Sequence, residues 1–174
     1  MRDENRKNKP IILAVAHCLL NQKARARGLT QHPEIKQEIL KLATKYNAKI
    51  QQLPCPEFLF FGEREPKTYD EYMETSGFKD LCEKLAEDTV NNLKKFGDCP
   101  VVVIGIARSP SCSISYVYDR NNNLKKGEGI FIDLLRKKIP VRHSADGKTA
   151  FIEMDYREID TSIERIEKIL KTIY

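Results

Sequence analysis

The sequence predicts an α/β fold: a single domain in which a mostly parallel, Rossmann-like sheet carries helices on both faces. Short apolar runs without helical period alternate with longer segments whose apolar residues recur every three or four positions. The chain has 174 residues, 41% of them apolar, which is the size of one domain. Such alternation is typical of a parallel sheet covered by crossover helices. We expect residues 10–174 to form this domain and residues 1–9 a basic, polar tail.

The first part of the chain predicts a strand, a helix and a second strand. Residues 11–16 (IILAVA) form an apolar run typical of a strand buried on both faces. Apolar residues at helical spacing predict a helix from Pro33 that stops at Asn47. Residues 48–53 predict a weaker strand ended by prolines, and residues 58–67 an aromatic loop.

The second part of the chain continues the alternation. Residues 69–96 contain a long helix, and the most apolar run, residues 101–106 (VVVIGI), predicts the central strand. A loop rich in serine and asparagine precedes a helix over residues 129–138, and short strands are expected near Val141 and at residues 150–154. A final helix carries the last apolar stripe: Ile163, Ile166, Ile169, Leu170 and Ile173.

Composition excludes several classes of protein. Five cysteines in a chain with 32% charged residues are too few for a disulfide-rich secreted scaffold, so we expect reduced thiols. No apolar run approaches the ~20 residues of a membrane helix, and the polar N-terminus does not resemble a signal peptide. We therefore expect a cytoplasmic protein that does not bind membranes.

The net charge of +5 is concentrated at one end of the sequence. Residues 1–30 hold seven basic side chains and two acidic ones, whereas the remainder is balanced. A cationic segment beside Cys18 could attract a phosphate-bearing or nucleic-acid substrate. The alternative is a basic tail and a solvated loop.

Three cysteines occupy equivalent places in the predicted fold. Cys18 follows the first strand, Cys55 the second and Cys112 the central strand. Because the carboxyl ends of parallel strands share one edge of a sheet, these thiols can converge there. The alternative is that each is a small core residue, which we expect for Cys82 and Cys99.

Three converging thiolates suit two kinds of cofactor. A zinc ion could take all three and keep an open position, and a [4Fe-4S] cluster could take three and leave one iron without a protein ligand. The cysteine spacing does not choose between them. A cysteine phosphatase needs an arginine one position closer to Cys18 than Arg25, and the segment after Cys55 lacks the second cysteine of a zinc deaminase.

The segments around these cysteines resemble the thiouracil desulfidase (TudS-like) family. Members show C-L-L-G, C-P-E and S-P-S-C-G in this order, and the corresponding residues here are 18–21 (CLLN), 55–57 (CPE) and 109–113 (SPSCS). Three departures indicate a divergent branch. Asn21 and Ser113 replace glycines, residues 23–28 read KARARG in place of R-Y-D-G, and residues 58–65 read FLFFGERE in place of a glycine-rich segment.

The resemblance implies a compact α/β enzyme with a [4Fe-4S] cluster held by Cys18, Cys55 and Cys112 and one iron not ligated by protein. That iron takes the sulfur of a thiolated pyrimidine, such as thiouracil or a thionucleotide, and non-redox hydrolysis releases hydrogen sulfide. A zinc-dependent hydrolase using the same thiols, or a non-catalytic cluster protein that binds a nucleotide or sulfur, are the alternatives.

Further site residues lie beside the cysteines in the sequence. Glu57 is a candidate general base or partner of a pyrimidine N–H group, with an exposed loop glutamate as the alternative. Ser109 and Ser111 can donate to substrate or cluster sulfur, or cap the turn around Pro110.

The segment after Cys18 supplies the candidate substrate contacts. Asn21 and Gln22 offer the donor and acceptor that would recognise a base edge, or they stabilise a turn. We expect the basic loop of Lys23, Arg25 and Arg27 to guide a thionucleotide or thiolated RNA, although no RNA-binding motif is present, so a nucleotide or free base is favoured over RNA.

Overall fold

The computed structural model describes residues 9–139 and 149–173. In chain order its elements are β1 (Ile12–Val15), α1 (His17–Leu20), α2 (Glu34–Lys45), β2 (Lys49–Gln52), α3 (Pro56–Phe61), α4 (Tyr69–Glu74), α5 (Phe78–Lys94), β3 (Val101–Ile106), β4 (Tyr116–Tyr118), β5 (Leu124–Lys126), α6 (Ile130–Lys138), β6 (Thr149–Met154) and α7 (Ile159–Ile173).

Within this described part of the chain, four parallel strands form a sheet in the order β2-β1-β3-β6. Ile12 is opposite Lys49 on one side and Val101 on the other, and Val101 is in turn opposite Thr149. Every residue of β1 and β3 is buried, as expected for interior strands of a sheet covered on both faces. The predicted fold class is confirmed, and so are all four of these strands.

The two faces of the sheet pack against different helices. On one face Leu13 and Ile104 join the buried side chains of α2 and α7. On the other, Ile12 and Val103 join those of α5 and α6. Because neighbouring residues of a strand point to opposite faces of the sheet, each face packs against its own apolar layer. The ends of the strands lie outside these layers and can carry polar and reactive side chains.

The prediction of an aromatic loop over residues 58–67 is wrong in the first half of that range. Residues 56–61 form α3, because Pro56 occupies the first helical turn, where a missing N–H is tolerated. Six residues are too few to show a helical period in the sequence. Gly62, with φ of 68°, ends the helix.

The long helical segment over residues 69–96 is two helices. Gly77 adopts φ of 81°, which interrupts the helical backbone between α4 and α5. The shorter α4 has its own capping box, in which Thr68 and Glu71 satisfy each other's backbone N–H groups. The apolar residues at helical spacing in this segment, such as Phe78, Cys82 and Leu93, belong to α5 alone.

The loop rich in serine and asparagine contains an antiparallel hairpin, β4–β5, which the sequence analysis missed. Its strands have three residues each, too short for alternation to be visible. The helices predicted near residues 129–138 and at the end of the chain are confirmed as α6 and α7. The basic tail and the strand expected near Val141 lie outside the described residues, except Lys9. No helix in the described ranges is long and apolar enough to cross a membrane.

Candidate functional site

Cys18 lies at the carboxyl end of β1. The strand stops at Val15, and the chain turns directly into α1, whose Leu19 N–H donates to the carbonyl of Ala16. This turn places the Cys18 side chain, 9% exposed, on the wall of a cavity. The neighbouring His17 ring instead lies 2.8 Å (Nδ1) from Gln52 Nε2.

Cys55 lies at the carboxyl end of β2 and caps the start of α3. Its Sγ lies 3.7 Å from Cys18 Sγ, although 37 positions separate the two residues. The hydrogen bond between these buried thiols lowers the pKa of Cys55 and, together with burial, raises the pKa of Cys18. The adjacent strands β1 and β2 thus bring their two cysteines into contact.

Cys112 lies on the loop after β3, which packs directly on the start of α6. N–H groups of this helix donate to loop carbonyls: Ile130 to Pro110 and Phe131 to Ser111, each at 3.0 Å. Gly129 lacks a side chain where a Cβ would lie 2.3 Å from the carbonyl carbon of Ser111. This close approach fixes the loop, and burial raises the pKa of the Cys112 thiol.

Ser111 and Glu57 connect the segments that carry Cys112 and Cys55. The Ser111 hydroxyl donates to Glu57 Oε1 at 2.6 Å and lies 3.5 Å from Cys112 Sγ. Glu57 follows Cys55 by two residues and is 8% exposed, so the exposed loop glutamate is not what the structure shows. A carboxylate, a hydroxyl and thiols from separate segments therefore meet at one edge of the sheet.

The second carboxylate oxygen of Glu57 is held by an arginine and a tyrosine. Arg64 donates to Oε2 through Nη2 at 2.7 Å and Nε at 3.1 Å, and the Tyr72 hydroxyl donates at 3.1 Å. Burial lowers the pKa of Arg64, but the Glu57 carboxylate outweighs this, and the net pKa is raised. Arg64 Nη1 also donates to the carbonyl of Ala24, which ties the basic loop to α3.

A cavity of about 820 Å³ opens onto this constellation. Cys18, Glu57 and Ser109 lie on its wall, whereas Cys55 and Cys112 do not. Among the described residues its basic lining side chains are Arg25, Arg64, Lys67, Arg108, Arg120 and Arg157, and its acidic ones are Glu57 and Glu71. The cavity therefore has a surplus of positive charge.

Some of these cations are already paired. Arg108, with φ of 62°, makes two hydrogen bonds to Asp155, at 2.8 and 2.5 Å. Arg120 pairs with Glu74. Within the described part of the chain, Arg25 and Lys67 have no carboxylate within salt-bridge distance.

Only one of the four predicted substrate-binding residues lies on the cavity wall. Arg25 lines the cavity, whereas Asn21, Gln22 and Lys23 do not. Asn21 accepts from the N–H of Lys23 and caps a 3-10 turn. Gln22 donates to the Cys18 carbonyl at 2.9 Å and accepts from the N–H of His32 at 3.1 Å. Asn21 and Gln22 therefore stabilise the turn, which is the alternative to recognition of a base edge.

Ser109 also has a structural contact, since its hydroxyl accepts from the N–H of Cys112 at 3.0 Å. Ser113, which follows Cys112, is fully buried, and its hydroxyl has no hydrogen-bond partner among the described residues. A second hydroxyl thus lies next to a candidate ligand.

Three residues of the site and its cavity were not predicted from the sequence: Arg64, Tyr72 and Tyr156. Arg64 stands in a run of alternating charges, which is typical of a solvated loop, and yet it is 6% exposed. Tyr72 is fully buried on α4, and Tyr156 lines the cavity two residues after β6. Only the position of Tyr156 after a strand offered a signal.

All five cysteines are free thiols. Cys82 and Cys99 pack in the apolar layer on the α5 side of the sheet, in agreement with the packing interpretation. No three His, Cys, Asp or Glu side chains in the described ranges form a ready-made site for a single metal ion. The fit of a cluster therefore rests on the donor set itself: three buried thiols at one sheet edge, which is the ligand type iron–sulfur clusters use.

A family model and one curated relative match this chain. A family model described as 2-thiouracil desulfurase matches residues 13–146, a span that includes all three cysteine segments. A protein of Methanocaldococcus jannaschii, named only as uncharacterized, is 36% identical over 106 residues, which cover 59% of this chain and 67% of that relative.

One solved structure shares the fold. It is described as the [4Fe-4S]-dependent thiouracil desulfidase TudS, and it covers 92% of this chain and 99% of its own, with a TM-score of 0.50. Its sequence identity is 16%, in keeping with the divergent branch that the motif departures indicate.

Proposed function

The chain belongs to the 2-thiouracil desulfurase family, and on this premise we propose that it removes the sulfur of a thiolated pyrimidine by hydrolysis. In this reaction a C=S bond and one water molecule become a C=O bond and hydrogen sulfide, with no net oxidation or reduction. The substrate class includes thiouracil and its nucleosides and nucleotides. The single observation that carries the proposal is the meeting of the three thiol-bearing segments at one sheet edge, where Cys18 and Glu57 line a cavity.

Cys18, Cys55 and Cys112 would hold a [4Fe-4S] cluster. Support comes from their burial, their common sheet edge and the structural likeness to a protein described as [4Fe-4S]-dependent. With three protein ligands the cluster supplies one open iron, a soft Lewis acid that prefers sulfur to oxygen. Because Cys18 alone among the three lines the cavity, it marks the side from which substrate reaches the cluster.

Glu57 is the group placed to accept a proton from the attacking water. It lines the cavity, and the hydrogen bonds from Arg64 and Tyr72 to Oε2 fix the orientation of its carboxylate. Ser111 donates to Glu57 Oε1 and lies 3.5 Å from Cys112 Sγ, so it would carry that proton from Glu57 toward the thiol side of the site, where the sulfur departs. The second proton is the one on the hydroxyl group added to the carbon; it is lost as the C=O bond forms, so both protons of the water end on hydrogen sulfide.

A phosphate group on the substrate fits the remainder of the cavity. The volume of the cavity far exceeds that of one pyrimidine. The cavity lining includes Arg25 and Lys67, which have no carboxylate partner among the described residues. Cations of this kind neutralise phosphate and draw a charged substrate into a cleft. We therefore include thionucleotides in the proposed substrate class.

The test is a direct assay under exclusion of oxygen. Purified protein reconstituted with iron and sulfide is incubated with 2-thiouracil and with 4-thiouridine monophosphate, and sulfide and the oxo product are measured in the same samples. Equal amounts of both products support hydrolysis. A cluster-bearing protein that releases sulfide from neither compound contradicts the proposal, and a colourless zinc protein that hydrolyses another substrate points to the metal hydrolase.

A further inference from the structure

Two of the three cysteines at the sheet edge are in direct contact. Cys18 Sγ and Cys55 Sγ lie 3.7 Å apart and share a hydrogen bond. No other two cysteine thiols in the described part of the chain make such a contact, and the hydrogen bond of Cys112 Sγ is with the Ser111 hydroxyl. Cys18 and Cys55 therefore form a pair within the set of three.

The register of the sheet holds this pair together. β1 and β2 are parallel neighbours, and Val15 is opposite Gln52 in their last registered position. Each cysteine follows its member of that position by three residues. The Leu53 N–H donates to the Val15 carbonyl at 2.8 Å and so continues the ladder toward the cysteines. The contact between the thiols thus follows from strand pairing.

The two sulfurs are close enough for a covalent bond to form after a small movement. A disulfide bond is about 2.0 Å long, so the sulfurs need to approach each other by about 1.7 Å. Cys18 lines the cavity of about 820 Å³, which gives a small oxidant a route to the pair, whereas Cys55 is buried and does not line it. An oxidant that enters the cavity therefore meets Cys18 first.

We propose that Cys18 and Cys55 form a reversible disulfide when the chain holds no cluster and meets a peroxide. The O–O bond of hydrogen peroxide breaks, one oxygen oxidises the Cys18 thiol to a sulfenic acid, and the other leaves as water. The Cys55 sulfur then attacks the Cys18 sulfur, and the hydroxyl group departs as a second water with the proton of Cys55. Two thiols and one peroxide thus become one disulfide and two waters.

The effect of this disulfide on the cluster rests on the ligand set of the proposed function. The bond withdraws two of the three ligands, so the cluster is rebuilt only after a thiol reductant has restored them. The bond also keeps the Cys18 sulfur from the sulfinic and sulfonic acids, which thiol reductants do not reverse. The pair therefore stores the empty protein in a form that can be reloaded.

Peptide mapping of the full-length protein tests the bond itself. The protein is freed of metal with a chelator, exposed to hydrogen peroxide, alkylated and digested without reductant. We expect a peptide linked through Cys18 and Cys55 and the loss of two of the five free thiols. Cys99→Ser, which alters a cysteine of the apolar layer, should form the same link. Five remaining thiols, or a main link that involves another cysteine, overturns the inference.

A second test measures whether the pair protects Cys18. After peroxide and then dithiothreitol, wild-type protein should regain all its thiols and, on reconstitution, the iron content of untreated protein. In Cys55→Ser, Cys18 has lost its partner, so we expect sulfinic or sulfonic acid at Cys18 that dithiothreitol does not remove. Cys112→Ser keeps the pair and should regain its remaining thiols. Equal irreversible oxidation of Cys18 in wild type and in Cys55→Ser contradicts the protective disulfide.

These outcomes are separate from those of the proposed function, because neither test requires turnover. Sulfide release by a protein that forms no Cys18–Cys55 link overturns this inference and leaves the desulfidase proposal standing. A reversible Cys18–Cys55 link in a protein that releases no sulfide from thiolated pyrimidines supports the inference and contradicts the desulfidase proposal.

Discussion

Ser111 donates a 2.6 Å hydrogen bond to Glu57, although 54 positions separate the two residues in the sequence. Ser111 belongs to the loop after β3, and Glu57 to the first turn of α3. The same hydroxyl lies 3.5 Å from Cys112 Sγ. This contact joins a carboxylate from one strand end to a sulfur from another, and the predictions below start from it.

Replacement of the Glu57 carboxylate should remove activity and leave the fold intact. In Glu57→Gln the amide can still accept from Ser111 but cannot take up a proton, so we expect sulfide release to fall by about 10²–10⁴-fold. Rates are measured at equal iron content. Glu63→Gln, on the same connection but exposed, serves as the control and should retain its rate. An undiminished rate in Glu57→Gln would show that another group handles the proton.

Arg64 should matter for stability more than any exposed arginine nearby. Its side chain is 5% exposed and its partner Glu57 is 10% exposed, so Arg64→Met leaves a buried carboxylate without its cation. We expect a loss of about 3–5 kcal/mol in the free energy of unfolding by urea. Arg27→Met removes exposed pairs with Glu63 and Glu65 and should cost at most about 1 kcal/mol. Equal losses would contradict the buried pair.

The Arg108–Asp155 pair should make stability depend on acid pH. Hydrogen bonds from Arg108 lower the pKa of Asp155 in the folded protein. The stabilisation is therefore fully present above the unfolded value of about 3.9 and is lost as pH falls through the lower folded value. The difference in unfolding free energy between wild type and Asp155→Asn should shrink on acidification from pH 6 to pH 3. A difference that stays constant between pH 6 and pH 3 would contradict a stabilising Arg108–Asp155 pair.

Lys67 should act on the phosphate of a substrate and not on its base. It lines the cavity without a carboxylate partner among the described residues, so Lys67→Ala should lower kcat/KM for 4-thiouridine monophosphate by about tenfold, the effect of one charged hydrogen bond. The value for 2-thiouracil should stay the same. Lys23→Ala, which lies outside the cavity, is the control. An equal fall in kcat/KM for both substrates would mean that Lys67 acts through packing and not through a contact with the phosphate.

Much of this site follows from one rule that sequence can apply. Strands in a parallel sheet end at a common edge, and that rule brought together Cys18, Cys55 and Cys112 from their places after apolar runs. Glu57 and Ser111 came with them, because they are one or two residues from a cysteine.

The remaining parts of the site depend on tertiary contacts. Arg64 is buried only because Glu57 and Tyr72 meet it, and no local pattern distinguishes it from the exposed Arg27. The Gln22 amide has the donor and the acceptor needed to recognise a base edge. In the structure both form hydrogen bonds to the backbone, to the Cys18 carbonyl and from the His32 N–H. Helix α3 escaped detection because six residues, beginning at a proline, show no period.

Iron and acid-labile sulfide analysis of protein purified without oxygen tests the central claim most directly. We expect a brown protein with about four irons and four sulfides per chain. Single Cys→Ser changes at Cys18, Cys55 and Cys112 should each abolish the cluster. Cys82 is a buried thiol on α5, and the Cys82→Ser variant should retain the cluster. A colourless protein, or one whose iron survives serine at any of the three positions, would contradict the account.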